Sequence, residues 1–137
     1  MRKSHLIMLI ACAFSVIAFS ACSEDSQKAA RTGKAFLRNL YTCNFKACDA
    51  LCTENGRKEV RWFASNLTEE DLPLISSDIE IETEDCEVTD TTASVVFRAA
   101  NVIVCDSLET KGRLGERNLT VRLRNRKGTW KVDGLEW

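Results

Sequence analysis

Histidine is almost missing from this chain. The only one among 137 residues is His5, so everything beyond the first few residues lacks a Ser–His or Cys–His pair and the commonest metal ligand. There is one proline, Pro73, and there are six glycines, too few of either for a disordered or low-complexity chain. No phosphate-binding loop and no dinucleotide fingerprint occurs, and no internal repeat is visible. Long hydrophobic runs are also lacking. The one extended apolar stretch, Leu6 to Phe19, falls short of the roughly 20 residues a membrane span needs. There is no excess of positive charge, with 19 basic residues against 20 acidic ones and a formal charge of −1, which argues against nucleic acid as a partner.

What is present begins at the N-terminus. Arg2 and Lys3 precede the apolar run, and Phe19-Ser20-Ala21 closes it with small residues before Cys22. A charged head, a short apolar core and a small-residue break have the form of a secretory signal. Phe19-Ser20-Ala21-Cys22 resembles a bacterial lipobox, with Phe19 where leucine is usual. That resemblance implies cleavage before Cys22 and acylation of Cys22, which would hold the protein on a membrane. Ser23-Glu24-Asp25 resembles the acidic export signal of surface lipoproteins in the Bacteroidetes lineage. The expected location is therefore the bacterial cell envelope, lipid-anchored, with the outer membrane and its exposed surface as the destination. On this reading residues 1–21 are the signal peptide, 22–27 a lipidated tether and 28–137 the folded domain. Losing Arg2 and Lys3 takes the net charge from −1 to −3. The remaining 116 residues make one small domain with enough chain to bury a core.

Cysteine is abundant, at seven. Cys12 falls inside the signal. Beyond Cys22 stand Cys43, Cys48, Cys52, Cys86 and Cys105, which are disulfide candidates in an exported protein. Five is odd, so at most two bridges form, and spacing alone leaves the connectivity open. A bridge from the Cys43–Cys52 region to Cys86 or Cys105 would tie a helical half to a strand half and stabilise by ~3–4 kcal/mol. A zinc site would want paired Cys or His spacing that this set lacks, so no metal and no cofactor is expected.

Ala29, Gly33, Phe36, Leu37, Leu40 and Tyr41 recur at helical spacing and predict a helix over 28–41, with Lys28, Arg31, Lys34 and Arg38 on its other face. Asn44 is placed to cap a second helix carrying Phe45, Cys48, Leu51 and Cys52. Thr53-Glu54-Asn55-Gly56 reads as a break, followed by a third helix with the stripe Val60, Phe63, Ala64 and Leu67, and with Trp62 half exposed. Thr68 to Asp71 resembles a capping box, and Leu72 to Ile75 a short helical turn. From Asp78 the period changes to two. Four strands are predicted over 78–88, 92–105, 118–126 and 130–137, with a polar loop from Asp106 to Gly115, a tight turn at Lys127-Gly128 and a bulge at Gly134. Helices first and an antiparallel meander after them mean an α+β fold, with the helices packed across one face of a curved four-stranded sheet.

In that order of elements, Ala35-Phe36-Leu37, Asn44-Phe45-Lys46-Ala47, Thr92 to Phe97 and the closing Lys127-Gly128-Thr129-Trp130-Lys131-Val132-Asp133-Gly134 resemble the nuclear-transport-factor-2-like (cystatin-like) domain. The resemblance spans about residues 27–137 and rests on packing and turn signatures. It implies a cone in which Phe36, Phe63, Phe97, Val121 and Trp130 line or fill the interior. It also implies, for some members, an Asp working with a Tyr in the cavity; here the only tyrosine is Tyr41, and Asp85 and Asp106 are candidate bases by residue type. The expected role is a non-enzymatic binding or accessory one, toward a small apolar ligand or another envelope protein. The alternative is a small cavity enzyme of isomerase or dehydratase type, which requires a buried carboxylate. Charge is segregated too. Glu69 to Asp90 holds ten acidic residues and no basic one, and Lys111 to Lys131 holds eight basic and one acidic. Antiparallel pairing turns that pattern into an ion ladder across the strands, with Glu80, Glu82 and Glu84 expected opposite Arg98, Arg122 and Arg124.

Overall fold

The computed structural model describes residues 24–104 and 113–137. Helix α1 covers residues 24–41 of the described chain, so part of the segment read as a tether is helical. Its predicted stripe is the buried one, with Ala29, Phe36, Leu37 and Leu40 fully covered and Tyr41 nearly so. Gly33 sets how closely α1 lies on the sheet, because a Cβ there would stand 2.9 Å from the Phe97 ring. The helix closes with a Schellman motif: the Asn44 N–H donates to the Asn39 carbonyl at 2.8 Å and the Cys43 N–H to that of Leu40 at 3.1 Å. Cys43 holds the left-handed position at φ 61°, where glycine is usual.

Helix α2 spans Phe45–Ala50 with Asn44 at its N-cap, though the Asn44 side chain makes no capping bond. Leu51 and Cys52, expected on this helix, have left it. The Val132 N–H donates to the Leu51 carbonyl at 2.8 Å and the Thr53 N–H to the Val132 carbonyl at 2.9 Å, so residues 51–53 run parallel along the last strand. This covers an edge that would otherwise offer unpaired backbone groups. Helix α3, Glu54–Asn66, begins at once. The break between the two helices thus falls at residues 51–53, and Glu54 to Gly56 already belong to α3. Thr53 is the N-cap, its hydroxyl accepting from the Gly56 N–H at 3.3 Å and donating to Asp133 Oδ1 at 2.7 Å. Gly56 lies in the first turn because the helix presses on the sheet backbone there: a Cβ would sit 2.2 Å from the Val132 carbonyl oxygen. A short 3-10 turn, Leu72–Leu74, follows.

The sheet is an antiparallel meander in the order β1-β2-β3-β4, with β1 Glu80–Val88, β2 Thr92–Val104, β3 Arg113–Arg126 and β4 Thr129–Glu136. Strand β3 begins well before the predicted Asn118. Gly115, assigned to a loop from sequence, pairs with Val102 inside the ladder. Each strand pair carries one irregularity: between Thr83 and Asp85, between Ala99 and Val102, and opposite Arg122/Leu123, where Asp133 is the extra residue beside the predicted Gly134. Bulges bend the bulged strand and increase its twist, and the sheet is curved. The inner face carries Ile81, Val95, Phe97, Ala99, Leu119, Val121, Leu123, Trp130 and Val132, all buried against the helices. Ile103 is buried as well but stands outside this cluster, in keeping with an end of β2 that is apolar on both faces.

Candidate functional site

The five residues expected to line or fill the interior come together. Phe36, Phe63, Phe97 and Val121 are essentially inaccessible, Trp130 nearly so, and all belong to one apolar cluster. From that cluster a row of aromatic rings leads outward. Tyr41 meets Phe63 edge-on at 5.5 Å between centroids, Phe63 stacks on Trp137 at 5.8 Å, and Trp137 lies 5.2 Å from Trp62, which is 45% exposed. The Arg117 guanidinium sits over the Trp137 ring at 5.8 Å, and the indole N–H of Trp137 donates to Glu59 at 3.4 Å.

The candidate bases are placed differently from expectation. The irregularity before Asp85 shifts the alternation of β1, so Asp85 pairs with Val96 on the outer face and is exposed, while Cys86 takes the inward place opposite Val95. Asp85 therefore does not open into the interior. Asp106 lies outside the described residues. The buried acid is one that sequence reasoning took for a cap. Asp71 is 1% exposed; its Oδ2 accepts from the Thr68 N–H at 2.8 Å, and its Oδ1 has no hydrogen-bond partner among the described residues. The Thr-x-x-Asp spacing gave the local bond correctly. Nothing in that spacing signalled that the following turn would tuck the carboxylate inside.

Cys43, Cys48, Cys52 and Cys86 are all free thiols, while Cys22 and Cys105 lie outside the described residues. The Cys48 thiol donates to the Phe36 carbonyl at 3.6 Å. Burial pushes Cys48 up from an ordinary 9.0 to about 12, with nearby Cys52, Asp49 and Cys43 adding to the rise. Burial likewise pushes Cys52 to about 12, with Asp49 raising it further and Arg57 and Lys131 opposing. Cys86 stands apart, its sulfur 3.9 Å from the Ser26 carbonyl near the start of α1. From Ser26 to Cys43 the helix rises about 25 Å, and to Phe36, beside Cys48, about 15 Å. Cys52 lies on the far side of β4, about 19 Å from β1 across four strand spacings. A bridge needs Cα atoms within about 7 Å, so of the two ties expected for the Cys43–Cys52 region the one to Cys86 spans too far in this fold, and the one to Cys105 lies outside the described residues.

The ion ladder is present on the outer face of the sheet with altered partners. Arg98 reaches Glu82, Glu116 at 2.9 Å and Glu84 at 3.4 Å, and the hydrogen bonds to Glu82 and then Glu116 raise its already high pKa. Arg122 and Arg124 turn to β4 instead of β1, meeting Glu136 at 3.8 Å and Asp133 at 3.7 Å. The helical layer differs. Lys28, Arg31, Lys34 and Arg38 are all exposed along α1, and Arg57, Lys58 and Arg61 are exposed on α3 beside Trp62. None of these seven makes an ion pair among the described residues.

No protein-family model and no curated protein sequence matches the chain. Its fold does match solved structures. A protein titled "Rd1NTF2_05_I64F_A80G_T94P_D101K_L106W" superimposes with a TM-score of 0.54 at 10% identity, over 80% of this chain and 96% of that one. Another, titled "Rd1NTF2_04 with long sheet", gives 0.50 at 16% identity over 78% and 96%. Three helices on a curved four-stranded antiparallel sheet are thus an NTF2-like fold. At these identities the likeness is one of fold.

Proposed function

We propose that this is a lipid-anchored protein of the bacterial cell envelope, held through acylated Cys22, whose NTF2-like domain binds a partner or a small apolar ligand without doing chemistry of its own. The observation that carries the reading is the junction at Cys22: a secretory signal ends on a lipobox-like Phe19-Ser20-Ala21-Cys22, and the chain is already helical at residue 24, two residues later. A chain built in that way works at a membrane surface. The half-exposed Trp62 beside Trp137 gives the domain an apolar, aromatic surface for contact. The outward placement of Asp85 and the loss of His5 with the signal weigh against catalysis.

The test is metabolic labelling with a palmitate analogue in a bacterial host. The full chain should take up label and fractionate with membranes, and Cys22→Ser should do neither. Native mass spectrometry of the released protein then reads out any retained small molecule.

One observation favours the cavity-enzyme alternative. A carboxylate with one buried oxygen lacking a hydrogen bond is costly unless it is used, and Asp71 is such a group. Asp71→Asn separates the two readings. If Asp71 is only structural, ligand retention is unchanged and stability shifts slightly. If it acts as a base, a retained carbonyl compound that the wild type isomerises would persist unaltered in the variant.

A further inference from the structure

We infer that the outer face of the helical layer, led by Lys28, Arg31, Lys34 and Arg38, docks on an anionic lipid bilayer, the same surface to which Cys22 tethers the chain. The inference deepens the lipid-anchor reading and rests on it for its geometry.

The four cations recur at steps of three, three and four residues, which places them on one side of α1, opposite the stripe buried on Phe97 and Val121. No acidic residue lies between Lys28 and Arg38. Helix α3 packs on the same side of the sheet, through Gly56 against Val132, and adds Arg57, Lys58 and Arg61 to that outer surface together with the exposed Trp62. Over residues 24–66 there are eight basic residues and five acidic ones, two of the five, Glu24 and Asp25, preceding Lys28. On the sheet's outer face Arg98, Arg122 and Arg124 all sit on carboxylates, while exposed Arg126 and Lys127 at the β3–β4 turn make no ion pair among the described residues. The larger set of unpaired cations among the described residues is therefore on the helical side, seven on α1 and α3 against the two at the β3–β4 turn.

Position selects the occupant. Glu24, two residues past Cys22, is already helical, so this part of the helix cannot move far from the headgroups. From Lys28 to Arg38 the stripe extends about 15 Å. An upright helix would leave its far end beyond the ~8 Å Debye length of physiological salt, whereas a helix laid along the surface brings all four cations within it. Each Lys or Arg close to an anionic leaflet adds ~1 kcal/mol, about fivefold in partitioning. Tryptophan favours the same interfacial depth.

The test uses residues 23–137, which hold every element described above, so that binding reports the domain and not its anchor. Vesicles of phosphatidylcholine containing about one-third phosphatidylglycerol are compared with pure phosphatidylcholine in a flotation assay. The protein should prefer the anionic vesicles and release them in high salt. Arg31→Gln with Lys34→Gln should weaken binding about 25-fold, while Arg126→Gln with Lys127→Gln, an equal change in net charge on the β3–β4 turn, should weaken it less than about twofold. Thermal melts of the two variants check that both remain folded. Equal losses in the two pairs, or no preference for anionic vesicles, would overturn the docking surface. Palmitate labelling is read separately. Label without anionic preference sinks the docking face and leaves the anchor, and vesicle preference without label does the reverse.

Discussion

At the scale of single residues, the informative positions are those where one atom decides a contact. Gly56, the last residue of the stretch expected to separate the second and third helices, lies in the first turn of α3 with no room for a Cβ against the Val132 carbonyl. Gly56→Ala should destabilise the protein by about 3 kcal/mol, at the upper end of overpacking costs, seen as a lower urea midpoint. An alanine tolerated without loss would mean that α3 does not seat on β4 as described. The buried thiols make a second case. Cys48 and Cys52 are pushed to about 12, so at pH 8 both should alkylate far more slowly than partly exposed Cys43. Because folding raises these pKa values, the folded state binds protons more tightly. Their contribution to stability is complete below pH 9 and is lost as pH climbs from there toward 12. A stability curve flat across that range would contradict their burial.

Elements meet where the helical half joins the sheet. Residues 51–53 abandon α2 to pair with β4, and Thr53 then starts α3 while its hydroxyl holds Asp133, the extra residue of the β4 bulge. One side chain thus caps a helix and fixes a bulge. Thr53→Ala should cost about 1–2 kcal/mol, and Thr53→Ser should restore most of it by keeping the hydroxyl. If alanine and serine behave alike, the capping bond contributes nothing. The bulges matter for side-chain placement as well as for shape. The one before Asp85 reverses which residues of β1 face inward, exchanging an expected carboxylate for Cys86.

For the whole molecule, the separation of Cys86 from the other three thiols predicts the outcome of disulfide mapping. After expression in an oxidising periplasm and digestion without reduction, no peptide should link Cys86 to Cys43, Cys48 or Cys52. Such a link would require α1 or the sheet to pack differently. The uneven distribution of unpaired cations belongs to this scale too, since it arises only when helices and strands are stacked in two layers.

Much of this protein was legible from sequence because the relevant signals are local. The stripe of α1, the period-two strands, the Lys127-Gly128 turn and the α+β arrangement follow from spacing, and spacing is a property of neighbouring residues. The buried set of Phe36, Phe63, Phe97, Val121 and Trp130 follows from the same patterns. What tertiary structure decided was non-local. Backbone pairing with Val132 drew Leu51 and Cys52 off their helix, close approach to the same residue required Gly56, and strand register turned Asp85 outward. The turn after Thr68 buried Asp71. In each of these, a contact between distant parts of the chain outweighed a local preference worth about 1 kcal/mol or less.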